Sequence, residues 1–415
     1  MTTIKPSILL GFTLGTLSAI GGFIDIGDLV ADALVGARFG LRLAWVTVFA
    51  VIGIMCYAEM SARIALKTRR PAFDLVRSRL GPRYALGGLI GSFLVTAVLV
   101  MAELSGIALA LELASGVHYL LWVPIAAAAV FIVVWTLPFE ATERIYGLLG
   151  LAMLVFVVAV WQLHPDWSRL WQSATTVAPT TGESWPAYFF FAVTLIGAQM
   201  TPYEMFFFSS GAVESRWRPK DLAEMRVNVI VGFPLGGLLA IAIQAVAFLV
   251  FFDAGVQVEH ISQTVLPVAL GLGKIGLAIA LVGVFAATFG ATLETLFSTG
   301  YDLAQYFGWA YGEVQPPARA TRFTTVIAAL LLLSTALALT TLNPITVTIY
   351  AVVFSSVLLP FAFLPVLLVG NDRHVMGELA NGPLSNTVGT VTLLVSVVVS
   401  ATALPLLVLT KAGAS

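Results

Sequence analysis

The sequence has little charge. Only 10% of its 415 residues are Asp, Glu, Lys or Arg, while 59% are hydrophobic and the mean hydropathy is +0.97. This composition excludes a soluble globular protein and indicates a polytopic, all-α protein of the lipid bilayer. The chain also lacks a polar stretch long enough for a soluble domain. It has no basic tract, so nucleic acid is not expected as a partner.

Cysteine and histidine are scarce. Cys56 is the single cysteine, so no disulfide can form within the chain, and we expect it to be a small buried apolar residue. The four histidines all lie at or near loops or the ends of apolar segments. Proton relays through membranes use chains of Asp, Glu and His, so the sequence offers little material for such a relay.

Long apolar segments fill the chain instead. A membrane-spanning helix needs about 20 apolar residues, and eleven segments meet this length, so residues 1–415 are predicted to form a single transmembrane domain. Spans 1–5 occupy about 8–163, spans 6–10 about 186–369 and span 11 about 386–408. The segments are 8–36, 40–66, 84–115, 118–138, 144–163, 186–213, 226–252, 265–300, 321–342, 345–369 and 386–408.

The positive residues predict the orientation. Lys and Arg concentrate in the second, sixth and eighth loops, whereas the third loop has none and the fifth has only Arg169. The first loop, with Arg38 and Arg42, is the exception. By the positive-inside rule, the even-numbered loops and the N-terminus are cytoplasmic. We therefore expect a multi-pass protein of the cell inner (plasma) membrane.

Two carboxylates interrupt the middle of the first apolar segment. Asp25 and Asp28 lie three residues apart, with Gly27 between them, and a charge at the bilayer centre costs about 2.5–3.5 kcal/mol on insertion scales. The sequence therefore predicts a helix broken at the midplane, whose carbonyls and carboxylates face a protected polar cavity. Asp28 could instead cap the N-terminus of the second half-helix.

The sixth segment carries a corresponding interruption. Pro202 removes a backbone donor there, and the polar residues Gln199, Thr201 and Glu204 surround it. This break falls in the first span after five complete spans, as the first break does in span one. Matched interruptions in two halves are typical of transporters built from inverted repeats, with the substrate site at the breaks.

Several motifs resemble those of the NRAMP family of divalent-metal transporters. Asp25-Ile26-Gly27-Asp28 is similar to the family's Asp-Pro-Gly-Asn, and Ala102-Glu103-Leu104-Ser105-Gly106 to its Ala-Glu-x-x-Gly. Leu359–Pro365, followed by Met376-Gly377-Glu378, is very similar to the family's tenth span. The resemblance implies a LeuT-type fold, with a 5+5 inverted repeat, an eleventh helix, and helices 1 and 6 broken at the midplane.

The same resemblance implies a metal site at the two breaks. The family's Ala-x-x-Met-Pro-His corresponds to Ala198–Tyr203, so Thr201 replaces the Met ligand and Met200 lies one place early. The expected ligands supply oxygen only, which suits Mg²⁺, Ca²⁺ or Mn²⁺. They are Asp25, Asp28, the Ala198 carbonyl, Thr201 and Glu204, with Glu103 and Asp32 further out. Thr201 could alternatively satisfy a freed carbonyl, and Glu204 could cap the second half-helix.

Several residues of the family's proton route are also replaced in this chain. Positions that the family fills with Asp, His, His and Gln align here with Val100, Tyr203, Phe208 and Val352. The chain thus resembles the NRAMP-related magnesium transporters. We expect a monomeric, alternating-access transporter of Mg²⁺, with Mn²⁺ as a second substrate candidate, without proton coupling, cofactor or enzymatic activity.

Other functions stay open at this point. The first is a proton-coupled Mn²⁺ or Fe²⁺ importer of the usual family type, against which Thr201, Tyr203 and Phe208 argue. The second is a LeuT-fold carrier of an organic cation, whose ammonium group the acids would bind. The third is an intramembrane enzyme with paired carboxylates, although the flanking motifs of such enzymes are missing. A structural or sensor role would leave the matched breaks unexplained.

Overall fold

The computed structural model describes residues 24–137, 139–312, 319–340 and 342–413, without the side chains of residues 139–141 and 143. Within these ranges the regular structure is helical. The α-helices are α1 Ile26–Phe39, α2 Ala44–Thr68, α3 Ala72–Leu80, α4 Pro82–Ser115, α5 Tyr119–Thr136, α6 Phe139–Gly150, α7 Val155–Gln162, α8 Trp167–Thr175, α9 Trp185–Gln199, α10 Pro202–Glu214, α11 Leu222–Ala247, α12 Ser262–Phe307, α13 Thr321–Ala338, α14 Pro344–Asn371, α15 Arg373–Met376 and α16 Pro383–Leu409.

Nine helices among the described residues are long and apolar enough to cross a membrane. Two of the predicted spans are not in this set. The sixth is divided into α9 and α10, each shorter than a full span. Of the first, the structure describes α1, and its upstream half lies outside the described residues. The nine are α2, α4, α5, Arg144–Gln162, Pro219–Phe252, α12, α13, α14 and α16.

The break between α9 and α10 follows from one proline. Helix α9 ends at Gln199, Met200 and Thr201 leave the helical conformation, and α10 starts at Pro202. Proline has no N–H to continue the helix, and its ring disfavours helical geometry in the preceding residue. Thr201 accordingly has extended backbone angles (φ −64°, ψ 131°). Pro202 therefore prevents α9 from continuing and is the first residue of α10.

Helix α1 lies in the protein interior. Every residue of α1 except Arg38 is buried, and the helix packs against α9 and α11. A Cβ atom at Gly36 would lie 2.2 Å from the Gln244 carbonyl oxygen of α11, so only glycine permits this approach. The burial of α1 places Asp25, Asp28 and Asp32 away from both lipid and water.

Helix α12 extends further than its apolar pattern predicts. It is kinked at Gly273, whose positive φ of 64° favours glycine. It then continues to Phe307, seven residues past the predicted end of the span at 300. This extension includes Asp302 in the helix and in the interior of the protein, where its side chain is 1% exposed.

Candidate metal site

The two aspartates at the predicted break of the first span form a reciprocal cap at the start of α1. The Asp28 backbone N–H donates to Asp25 Oδ1 at 3.0 Å, and the Asp25 N–H donates to Asp28 Oδ2 at 3.3 Å. Each carboxylate thus satisfies one of the amides that a helix leaves free at its N-terminus. The capping alternative for Asp28 is therefore observed, yet its Oδ1 stays buried with no hydrogen-bond partner.

The second break brings further oxygen atoms to the first. Thr201 Oγ1 donates to Glu204 Oε1 at 2.7 Å, and the Tyr203 hydroxyl donates to Asp25 Oδ2 at 3.4 Å. Thr201 makes no side-chain cap to its own helix. Tyr203 therefore connects α10 directly to the carboxylate at the start of α1.

Proline also frees the Ala198 carbonyl. In a continuous helix this oxygen would accept from the N–H four residues later, which is the position of Pro202. Because proline has no N–H, the Ala198 oxygen has no helical partner. Ala198 itself is fully buried. A cation held at the break could use this oxygen without breaking a helical hydrogen bond.

Glu103 of α4 belongs to the same region. Its Oε1 accepts from the Ile26 N–H at 3.3 Å, next to Asp25, while Oε2 is buried and unpartnered. Gly106, one turn later on α4, packs against Ile26 so closely that a Cβ atom would lie 2.8 Å from Cδ1 of that side chain. Glu103 therefore positions the first turn of α1 and leaves one oxygen available.

The acids at the breaks carry spare acceptor capacity without a cationic partner. Asp28 Oδ1, Glu103 Oε2 and Glu204 Oε2 are all buried and unpartnered. None of the ion pairs in the described ranges includes these residues or Asp25. Buried charge needs compensation, so bound cations or protons must supply it.

The carboxylates alone do not form a closed metal cage. Among the described residues, no group of three or more His, Cys, Asp or Glu side chains is arranged so that it could hold a metal ion. Two carboxylates with hydroxyl, carbonyl and water oxygens remain a workable ligand set, because Mg²⁺ is usually bound by one or two carboxylates and several waters.

No sulfur atom was predicted at this site, and Met200 points elsewhere. Its methyl group lies 2.6 Å from the position that a Cβ atom on Gly53 of α2 would take, and Thr392 of α16 lies 2.8 Å from that same position. Val352 of α14, which the resemblance aligned with the family's Gln, lies directly against Gly27. An apolar side chain therefore lies beside Gly27 at the position where the resemblance implies an amide.

Asp32 belongs to a separate polar cluster. Its Oδ1 accepts from Gln244 Nε2 at 2.8 Å and from Gln199 Nε2 at 3.2 Å. The same two amides donate to Thr47 Oγ1 at 2.8 and 3.3 Å. These fully buried side chains connect α1, α2, α9 and α11 one turn beyond the break. Asp32 therefore has its own partners, outside the predicted ligand set.

Comparison with known proteins identifies the family. A family model described as natural resistance-associated macrophage protein-like matches residues 15–405. The chain belongs to the Nramp family. The family consists of membrane transporters for divalent metals, so this Nramp protein is a multi-pass membrane transporter and not an enzyme.

Individual relatives agree with this membership. The divalent metal cation transporter MntH of Bacillus subtilis (strain 168) is 24% identical to this Nramp protein over 381 residues, covering 86% of this chain and 83% of the relative. A variant of the manganese transporter of Eremococcus coleocola superposes with a TM-score of 0.76 at 17% identity, covering 96% and 87% of the two chains. These names support the family and do not single out its magnesium branch.

The LeuT-type fold is also confirmed. MhsT, solved with L-phenylalanine, superposes on this Nramp protein with a TM-score of 0.67 at 15% identity, over 95% of this chain and 98% of MhsT. At such identities a structural likeness shows the fold alone. The observed break of the sixth span fits this architecture, and the first span is described from residue 24 onward.

Some polar partners in this Nramp protein escaped prediction. Tyr203 was treated as a lost histidine, whereas its hydroxyl donates to Asp25. Thr47 and Gln244 were not singled out, because their partner Asp32 is distant in sequence. A polar side chain inside an apolar span is the signal that would have marked Gln244.

Proposed function

We propose that this Nramp protein transports Mg²⁺ in preference to Mn²⁺, down the electrochemical gradient of the ion and without proton coupling. The observation that carries this proposal is that the candidate ligand atoms at the breaks are all oxygens. Asp25, Asp28 and Glu204 lie at the breaks, while the Met200 methyl group packs against Gly53. Hard oxygen ligands suit Mg²⁺, and the thioether that favours softer metals is absent from the site.

Carboxylate oxygens without a hydrogen-bond partner support the binding of a hydrated ion. Asp28 Oδ1 and Glu204 Oε2 have no partners, and Thr201 is much smaller than the methionine that it replaces. Mg²⁺ loses its waters reluctantly and usually keeps several of them. Carboxylates with free lone pairs can accept from those waters, so the ion need not be fully dehydrated to be recognised.

The side chains around the site support uncoupled transport. Tyr203 provides a phenol, whose pKa is ordinarily about 10, so it is a poor proton carrier at neutral pH. Val352 and Val100 are fully buried apolar residues, and the Phe208 ring packs edge-on against Trp217. These four side chains stand where the family resemblance implies acidic, imidazole and amide groups, and their weak acidity or apolar character supports uncoupled transport.

Transport of Mn²⁺ is the second candidate, favoured by the relatives. The likeness to the Eremococcus coleocola manganese transporter covers 96% of this chain, and the Bacillus subtilis relative is named a divalent metal cation transporter. Oxygen ligands also accept Mn²⁺. In that case Glu103 and Glu204, each with one unpartnered carboxylate oxygen, would carry whatever proton coupling exists.

Uptake into proteoliposomes tests the proposal. Vesicles with an internal Mg²⁺ dye and a parallel internal pH dye are supplied with Mg²⁺ or Mn²⁺ under the same gradient. We expect faster Mg²⁺ entry, no acidification, and loss of uptake in Asp25→Asn. The matched control is Glu224→Gln, an exposed acid in the first turn of α11. Uptake of Mn²⁺ with acidification, and none of Mg²⁺, would establish the second candidate instead.

A further inference from the structure

Asp302 is a buried carboxylate without a partner. Neither of its oxygens has a hydrogen bond, and the side chain is 1% exposed. No ion pair within the described ranges includes it. A carboxylate in the interior of a membrane protein is costly, and in such proteins it commonly marks an ion or proton pathway. The residue lies outside the site at the two breaks.

A stripe of polar residues on α12 leads to Asp302. Its members are all buried and recur at alternating spacings of four and three residues, so they share one face of the helix. Thr295 Oγ1 and Gln305 Oε1 on either side of Asp302 are also unpartnered. The stripe consists of Thr288, Thr292, Thr295, Thr299 and Asp302.

The stripe runs beside the second half of the broken sixth span. Ser298 Oγ donates to the Tyr203 carbonyl at 3.0 Å, and Gln305 Nε2 donates to Ser210 Oγ at 2.9 Å. Both contacts join residues 95 positions apart, so α10 and α12 are parallel and in register. Thr299 therefore lies at the same height as Glu204 along the axes of the two helices.

This register gives the depth of Asp302. It lies three residues after Thr299, which is about 4.5 Å further along the helix axis. Beyond α10 the chain enters the loop with Arg216, Arg218 and Lys220, which is predicted to be cytoplasmic. Asp302 therefore lies between the site at the breaks and the predicted cytoplasmic end.

We propose that Asp302 is a second binding position for the transported divalent cation, on its route between the two breaks and the cytoplasm. One carboxylate, with the unpartnered amide oxygen of Gln305 one helical turn away, suits a hydrated ion that is held weakly. Weak binding is what a transit position requires, because an ion must leave it as readily as it enters.

The inference rests on the proposed function, and counting bound ions separates the two. Mn²⁺ serves as the probe because oxygen ligands accept it and its electron paramagnetic resonance signal reports the free ion. We expect two bound Mn²⁺ per chain in the wild type, and one in either Asp302→Asn or Asp25→Asn.

Uptake into proteoliposomes gives a second measurement. The substitution Asp302→Asn should reduce maximal Mg²⁺ uptake at least tenfold, with the half-saturating Mg²⁺ concentration changed less than threefold. Glu224→Gln should match the wild type in both assays.

Each other outcome has a definite meaning. Wild-type stoichiometry in a folded Asp302→Asn overturns the inference, whether or not uptake slows, because a structural role would leave binding intact. If that variant is unstable in detergent, Asp302→Ser and Asp302→Ala replace it, and two bound ions in either folded variant would also overturn the inference. A wild type that transports neither Mg²⁺ nor Mn²⁺ refutes the proposed function, while the ion count still decides the role of Asp302.

Discussion

At the scale of single residues, the choice of metal depends on which atoms face the breaks. Thr201 contributes a hydroxyl that donates to Glu204 Oε1, whereas Met200 beside it packs toward α2. Adjacent side chains leave the backbone in different directions, so a sulfur atom one position away does not reach the site. Substitutions at Thr201 are therefore expected to change the selectivity between Mg²⁺ and Mn²⁺.

The substitution Thr201→Met should shift preference toward Mn²⁺. A thioether is a softer ligand than a hydroxyl, so the ratio of Mn²⁺ to Mg²⁺ uptake should rise by about tenfold, equivalent to about 1.4 kcal/mol. Competitive uptake of the two ions in proteoliposomes measures this ratio. Thr201→Leu is the matched control, because a leucine side chain is similar in size to methionine and contains no sulfur. An equal shift in both variants would mean that size, not ligand softness, controls selection.

The sequence revealed the residues whose local chemistry is unusual. Asp25 and Pro202 stand out in apolar spans because a charge and a missing N–H are costly there. Asp302 escaped attention because the apolar pattern ended at 300, which left it in a predicted loop. Its isolation is a property of the packed protein, since only the fold shows that neither oxygen has a partner.

At the scale of helices, the broken sixth span depends on close contact with α14. A Cβ atom at Gly197 would lie 2.1 Å from the Val352 carbonyl oxygen. Val352 also touches Gly27 at the start of α1. One short stretch of α14 therefore packs against both breaks, and glycine is required where the half-helices approach it.

The substitution Gly197→Ala should destabilise the protein. The added methyl group would force α9 away from α14, and overpacking of this kind costs about 1–3 kcal/mol, occasionally more. Gly211→Ala is the matched control, because no atom lies within 4 Å of its added Cβ. Alanine there should be neutral or stabilising by up to about 1 kcal/mol. Thermal unfolding in detergent measures both, and equal melting temperatures would contradict the packing described for Gly197.

Helix order and the proline break could be predicted from the sequence, whereas the pairing of helices could not. The break required only Pro202 and its polar neighbours. In contrast, the cluster of Asp32, Gln199, Gln244 and Thr47 joins residues that are 152 to 212 positions apart. No local pattern specifies such contacts, because they result from the tertiary packing of four separate helices.

At the scale of the whole molecule, polar contacts join parts of the chain that are distant in sequence. The buried Arg63 of α2 pairs with Glu59 and donates to Asn381 Oδ1 at 2.8 Å, just before α16. Arg226 of α11 reaches the same Glu59 at 2.9 Å. On the opposite side of the protein, the exposed Arg169 of α8 donates to Asp253 Oδ2 at 2.7 Å, in the turn after α11.

The Arg169 contact should give a small, acid-sensitive contribution to stability. The hydrogen bond from Arg169 lowers the pKa of Asp253, so the folded state favours the ionised carboxylate. That contribution is complete above the ordinary pKa of aspartate and is lost as the pH falls through the lowered value. Because the pair is exposed, Asp253→Asn should cost less than about 1 kcal/mol at pH 7.

Unfolding measured from pH 7 to pH 3 tests this contribution. The difference between wild type and Asp253→Asn should be constant above about pH 4 and should shrink as the pH falls from there toward 3. It should also shrink in high salt, which screens exposed charges. Arg169→Gln should reproduce the same pH dependence, because it removes the other partner. A difference that grows on acidification would contradict the direction of the pKa shift.

The position of Met200 shows how ion preference can depend on residue order. A methionine directly precedes Thr201, but its methyl group packs against Gly53 of α2, close to Thr392 of α16. Exchanging the identities of residues 200 and 201 would place sulfur at the ion without altering the amino-acid composition. Ion preference can therefore depend on the order of two neighbouring residues, and counting the ligand types in a span would not detect such a change.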